Sequence, residues 1–240
     1  MRNFAAAAVL ALGLAAAAPA GAAVIDSAEL TACAAGVSNT CVSPEGWSIV
    51  GSNDLVLKST LGGVGLGIAG GATSDEIDIR EQLAVNLGGL SILNSFSISY
   101  FFNGPEYGDL NERGRIDVTL ADASVLSFFL LAGPAEEQAR LFADAALSVL
   151  VATGASCGGA GNQNTGPGCF LFAGDPLGAL LITAIAFTAL DDGNGGSNNS
   201  DFAFSGLSYT EVPLPGAALL LLSGLAGFAF STRRVKTARA

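Results

Sequence analysis

Residues 24–211 predict a mainly β fold, an antiparallel β-sandwich of jelly-roll type, on three observations. Apolar and polar residues alternate with period two in several short runs, as in Ser95-Phe96-Ser97-Ile98-Ser99-Tyr100. Clusters of Gly, Asn, Asp and Pro separate these runs at hairpin spacing. No strand–helix–strand rhythm recurs, which removes the α/β architectures. The segment's 188 residues suit one domain with a substantial core, and they contain no linker or internal repeat.

In chain order, strands are expected at Ser48–Val50, Asp54–Lys58, Glu76–Leu87 and Ser91–Phe102, and then at Arg115–Leu120, Val125–Leu131, Gly178–Ala189 and Phe202–Thr210. Ile116, Val118 and Leu120 alternate with Asp117 and Thr119, and the break at Ala121–Ser124 before Val125 reads as a hairpin turn. The glycine-rich run Gly62–Gly67 reads as a loop or an irregular strand, because it lacks the spacing and the following helix of a nucleotide-binding loop. One helix is expected, over Pro134–Leu150, from the proline at its start, Glu136 and Glu137 in its first turn, and Leu141, Ala145 and Leu147 along one side. The end of that segment, Leu147–Val151, is also compatible with a strand.

The two ends of the chain carry targeting signals. Met1–Ala23 combines Arg2, an Ala/Leu-rich apolar run from Phe4 to Ala18, and small residues at the cleavage positions, the anatomy of a secretory signal peptide. Cleavage is expected after Ala22 or Ala23. Such a segment calls for the Sec export machinery and signal peptidase as partners. At the other end, Val212-Pro213-Leu214-Pro215-Gly216 opens a tail in which Pro213 and Pro215 impose an extended, non-helical stretch. An apolar run of 15 residues follows, Gly216 to Phe230, and then Arg233, Arg234, Lys236 and Arg239. A span needs roughly 17 to 25 residues, so a transmembrane helix here covers about 214–232 by borrowing its neighbours. The basic residues 233–240 place that end on the cytoplasmic side and the body outside. A buried C-terminal core helix is the competing reading of the apolar run.

The order of proline motif, apolar helix and basic end resembles the PEP-CTERM class of bacterial sorting domains in its VPLPA-CTERM variant, with Gly216 where that variant usually has Ala. The resemblance covers residues 212–240. It implies recognition by an exosortase, a membrane-embedded cysteine transpeptidase-like enzyme of Gram-negative bacteria. It further implies a transient inner-membrane anchor, cleavage near the motif, and delivery of the body to the cell surface or an extracellular matrix rich in exopolysaccharide. A weaker resemblance, carried by Ser74-Asp75-Glu76-Ile77-Asp78 and Asn103-Gly104-Pro105-Glu106-Tyr107-Gly108-Asp109, links the body to other PEP-CTERM proteins. It brings no assigned activity.

Charge sharpens this reading. The chain has ten Lys and Arg residues against 21 Asp and Glu, and five of the ten lie in the two targeting segments. The body therefore holds five cations against 21 acids, a net charge of −16. Such a body repels nucleic acid and anionic lipid, which removes nucleic-acid binding as a function. The four cysteines fall into two local pairs, Cys33 with Cys41 and Cys157 with Cys169, on the exported side where disulfides persist. Three connectivities are open to four cysteines, and the local one is favoured here. The chain has no histidine, so zinc sites and histidine-based nucleophile triads are not expected.

Three constellations are candidates for chemistry. The loop containing Asn103, Glu106, Tyr107 and Asp109 offers an aromatic face with carboxylate and amide groups, the ingredients of a carbohydrate site or of an ordinary polar loop tip. The loop from Asp191 to Asp201, with Asp192 and Asn194, offers oxygen ligands for a weak structural calcium ion but lacks EF-hand spacing. Beyond that ion, no cofactor is expected. Glu76, Asp78, Glu81, Glu106, Asp109 and Glu112 could supply a carboxylate pair for glycoside hydrolysis, although acids are abundant enough here to pair by chance. Glu81 shares the core-facing parity of Ile77, Ile79 and Leu83, which calls for a bulge or for a partner such as Arg113 or Arg115. The expectation is a non-enzymatic exported protein. Its alternatives are a calcium-assisted carbohydrate-binding module and, more remotely, a polysaccharide-cleaving enzyme.

Overall fold

The computed structural model describes residues 21–61, 63–104, 111–133, 138–158, 168–191 and 200–213. The predicted signal segment up to residue 20, the tail from Leu214 onward (including Pro215, Gly216 and the basic residues) and the tip residues Glu106, Tyr107 and Asp109 lie outside these. Among the described residues no helix is long and apolar enough to cross a membrane. Gly21–Glu211 forms one compact unit.

That unit contains, among its described residues, thirteen strands and one helix. The strands are β1 Ala22–Ile25, β2 Thr40–Val42, β3 Ser48–Gly51, β4 Leu55–Lys58, β5 Gly65–Ile68, β6 Leu83–Ser99, β7 Arg113–Leu120, β8 Val125–Ala132, β9 Gln138–Phe142, β10 Leu150–Ser156, β11 Phe170–Ala173, β12 Ile182–Ala189 and β13 Ala203–Glu211. The expected mainly β, antiparallel class is what is observed. Its closure is not the expected stack of two sheets. All thirteen strands belong to one hydrogen-bonded sheet, and seven of them close a ring in the order β6, β11, β10, β9, β8, β7, β12 and back to β6.

Strand β6 makes this closure possible. At 17 residues it is long enough to serve two neighbourhoods, pairing β3 and β12 through its first half and β13 and β11 through its second. The sequence predicts two strands here, interrupted at Gly88-Gly89; the chain instead runs through as one bent strand. The register jumps from Ala184↔Asn86 to Ile182↔Ser91, so the bend falls at the two glycines. Gly88 has φ of +77°, and a Cβ there would lie 2.6 Å from the Gly46 carbonyl oxygen. No other residue type fits that close approach.

Alternation decides which side chains enter the ring. Phe96 and Ile98 of β6, Phe172 of β11, Phe187 of β12, Ile116 of β7 and Leu130 of β8 are fully buried. The Phe96 and Phe172 rings stack 4.6 Å apart, and Phe187 packs 5.1 Å from Phe204. Space for Phe172 comes from Gly154 on β10, where a Cβ would lie 2.9 Å from its ring. The intervening serines of β6 face the other way and are satisfied across the sheet, with Ser95 Oγ 2.7 Å from Ser208 Oγ and Ser99 bonded to Ser205.

The helix expected over Pro134–Leu150 is absent among its described residues. Gln138–Phe142 is β9, paired with β8 on one side and β10 on the other. Its pattern is period two: Ala139 and Leu141 are buried while Arg140 between them faces outward. The spacing of Leu141 and Ala145 mimics a helical face, but the chain turns at Asp144, whose Oδ1 accepts N–H bonds from Ser148 and Val149 at 3.0 and 2.7 Å. Leu150 then opens β10, as the strand reading of Leu147–Val151 allowed. The only helix among the described residues, α1 (Ser27–Ala34), lies where none was expected. Asp26 caps it by accepting from the Ala28 N–H at 2.7 Å, and Glu29 reaches back to the Asp26 N–H at 3.1 Å, a capping box.

The cysteines pair locally, Cys33 with Cys41 and Cys157 with Cys169. The first bridge ties α1 to β2 and the second ties the end of β10 to the start of β11. Both belong to an oxidising environment, extracellular or periplasmic.

Candidate functional site

The acidic stretch Asp75–Glu81 does not continue β6 as one strand. Arg80 adopts φ of +73°, which breaks the alternation before Leu83. Upstream of the break, single bridges stitch the segment to β5, β12 and the start of β13: Ile68↔Glu76, Ile77↔Phe202 and Ile79↔Ala189. The fit is close, since a Cβ on Gly67 would lie 2.2 Å from the Asp75 carbonyl oxygen. The segment is therefore covered on both sides, and Glu76, Asp78 and Asp201 are only 2%, 4% and 3% exposed. The Ile77 bridge brings the stretch beside Asp201, which precedes Phe202.

Thr73 joins two of these acids. Its hydroxyl lies 2.8 Å from Asp78 Oδ1 and 2.6 Å from Asp201 Oδ2, and its N–H donates to Asp78 Oδ2 at 2.9 Å. Lys58, at the end of β4, supplies the cation: Nζ is 2.9 Å from Glu76 Oε1 and 3.3 Å from Asp75 Oδ1. It also sits 4.7 Å over the Tyr100 ring. Tyr100 is itself pinned, with its oxygen 2.8 and 2.9 Å from the Thr60 and Gly63 carbonyls.

Burial sets the protonation of the group. It pushes Asp201 up to about 9, and the adjacent Glu76 charge adds to the rise. Glu76 is also raised by burial, with Lys58 opposing. Burial works against the Lys58 ammonium, but Glu76 and Asp75 outweigh it and hold its pKa above the ordinary lysine value. At neutral pH Asp201 is a neutral acid, so a hydrogen bond to Glu76 takes the place of a second buried anion. The cluster binds the β4–β5 hairpin, the acidic stretch and β13 together.

The residues expected at sites fare differently. Asp201, assigned to a calcium loop with Asp191, is drawn into this cluster, whereas Asp191 is exposed. Its carboxyl is committed to Thr73 and Glu76, which removes it from a surface loop site; Asp192 and Asn194 lie outside the described residues. Glu81 pairs with neither Arg113 nor Arg115. It turns back to accept from the Asp78 N–H at 3.0 Å, and burial raises its pKa. Of the four residues expected at a site in the Tyr107 loop only Asn103 is described, and it is half-buried. Glu112 is fully buried and accepts from the Phe102 N–H, well away in sequence from the Thr73 cluster. Among the described residues no group of three or more His, Cys, Asp or Glu is arranged to hold a metal ion. An open pocket of about 170 Å³ lies elsewhere, against β1, lined by Asp26, Ser95, Ser97, Leu171, Ser205 and Ser208.

Comparison with protein-family models finds no match, and curated proteins and solved structures likewise give none.

Proposed function

We propose that this chain is a non-enzymatic exported protein, sorted by its C-terminal tail through an exosortase and displayed at the cell surface or in an extracellular polysaccharide matrix of a Gram-negative bacterium. The observation that carries the proposal is the tail itself, Val212-Pro213-Leu214-Pro215-Gly216 followed by the apolar run and Arg233, Arg234, Lys236 and Arg239. Two disulfides and a secretory N-terminus support export independently of that motif. The non-enzymatic reading draws support from the buried acids. Glu76, Asp78 and Asp201 are spent on Thr73, Lys58 and one another, inside the packed body. A glycosidase instead needs two carboxyls flanking a space that admits a sugar.

The test is mass spectrometry of the protein recovered from the producing cells. The expected product ends near Pro215 and lacks the basic stub, and replacing Pro213 and Pro215 with Ala leaves the tail attached. Recovery of Ala240 in every molecule would falsify the processing.

A further inference from the structure

The body's five cations are not spread evenly. Lys58 is consumed by the buried cluster and Arg80 sits in a turn, which leaves Arg113, Arg115 and Arg140. The register places all three on one outward face. Arg113 and Arg140 both lie opposite Leu131, on either side of it in β7 and β9, and Arg115 follows two residues after Arg113. Neighbouring strands lie about 4.8 Å apart and alternate residues along a strand about 6.7 Å, so the three Cα atoms fall within roughly 10–12 Å. Arg115 is opposite Phe129, which is opposite Phe142, and Thr188 of β12 flanks Arg115 on its other side.

These arginines are short of acceptors in a body full of them. Among the described residues Arg113 and Arg140 make no ion pair, and Arg115 has only Asp117, 3.0 Å from its Nε without the alignment of a hydrogen bond. The Nε groups of all three are buried against the sheet with no hydrogen-bond partner, and so is Thr188 Oγ1. Four unsatisfied polar atoms on one face of adjacent strands is a coherent deficit, because buried polar groups are normally satisfied. The apolar part of the face is equally defined. The Arg140 guanidinium lies 5.4 Å over the buried Phe142 ring, which restrains it against the sheet, and Phe129 and Leu131 are half-exposed beside it.

We propose that this face of β7–β9 is a binding site for an oligosaccharide bearing carboxylate groups. A guanidinium offers two parallel N–H donors that match a planar carboxylate, and a preoriented one loses less freedom on binding. The half-exposed ring of Phe129, with Leu131, suits the apolar face of a sugar. Charge density selects the ligand further. A nucleic acid carries one charge per about 1.7 Å of duplex and meets repulsion from the rest of a −16 body. A saccharide with widely spaced carboxylates meets the local cations, while acids more than about 8–10 Å away are screened at physiological salt.

The probe is trigalacturonate, titrated by calorimetry into the full-length chain, so the outcome does not depend on whether the tail is processed. Binding is expected for trigalacturonate and not for neutral galactotriose. The Arg113→Gln/Arg140→Gln variant should weaken it at least tenfold, and Arg80→Gln should leave it unchanged. Should the glutamine variant fail to fold, Arg113→Lys/Arg140→Lys keeps the charge without the planar fork and is expected to weaken binding severalfold. Equal binding of the neutral trisaccharide, unchanged affinity in the folded arginine variants, or tighter binding of a trinucleotide would each overturn the proposal.

Discussion

The two charged regions of this body use the same kinds of residue to opposite ends. Around Thr73, three acids are folded into the interior with Lys58 and the partly exposed Asp75 beside them, and each carboxyl has an ammonium, an N–H, a hydroxyl or a shared proton against it. On the outer face of β7–β9, one of three cations, Arg115, pairs with a described acid, Asp117. An acid-rich chain has carboxylates to spare, so the shortage of described acids beside these arginines is a matter of placement rather than supply. The difference teaches where the charge is structural and where it is open to a ligand. A buried cation is costly to remove because it strands its partners, whereas a surface cation without a partner contributes little to stability.

The largest effect expected on breaking this comparison comes from Lys58→Ala, which leaves Glu76 buried beside Asp75 and Asp201 with no cation. Loss of one partner of a buried pair costs about 3–5 kcal/mol. Urea unfolding followed by tryptophan fluorescence should show that loss, and a change under about 1 kcal/mol would mean that the cluster is solvated. Removing the Cys157–Cys169 bridge with a double Ser variant should cost about 3 kcal/mol, since it closes a loop with a sequence separation of 12. That loss should leave the arginine face on β7–β9 able to bind, because neither cysteine lies on those strands.

Protonation gives a graded effect rather than a single step. Asp201 holds its proton up to about 9 in the folded chain, whereas the unfolded carboxyl releases it near pH 4. Its contribution to stability is therefore complete below about pH 4 and is lost as pH rises toward 9. Glu76, also raised, acts in the same sense. The urea midpoint should fall steadily from pH 5 to pH 9, and Asp201→Asn should flatten that slope. A midpoint rising over this range, or the same slope in the variant, would place the proton elsewhere.

The sequence made some of this legible and hid the rest for identifiable reasons. Alternation in Ser95–Ile98 and Ile116–Leu120 marked the core-facing residues correctly, because period two is a local property; it fails at Tyr100, whose φ of +61° ends the strand pattern and sends Phe101, not Tyr100 or Phe102, into the main core. Ring closure depends on β10 and β11. The first, Leu150–Ser156, is mostly exposed and shows no clean alternation, and the second is four residues long. Asp26-x-x-Glu29 was a readable capping signature, but the eight-residue helix it starts carries no long apolar periodicity to draw attention to it. The buried cluster joins Thr73 to Asp201 across 128 residues, a pairing no local pattern encodes. A single misassignment concealed the arginine face. Placed on a helix over Pro134–Leu150, Arg140 has no register with Arg113; placed on β9, it lies opposite the same leucine.

The smallest expected effect sharpens the comparison most. Arg113→Gln/Arg140→Gln removes two of the body's five cations, yet no described ion pair is broken. What is lost is the contact of Arg140 with Phe142, worth about 0.5–1 kcal/mol at a site of this exposure. Glutamine keeps much of the aliphatic stem that covers the sheet. Calorimetric melting should therefore shift by no more than the equivalent of about 1 kcal/mol, in contrast to the loss for Lys58→Ala. A destabilisation as large as that of Lys58→Ala would show that these arginines serve the fold as Lys58 does, and would remove the distinction between the two regions. A small shift together with lost trigalacturonate binding separates them, with one set of charges holding the body together and the other facing outward for a ligand.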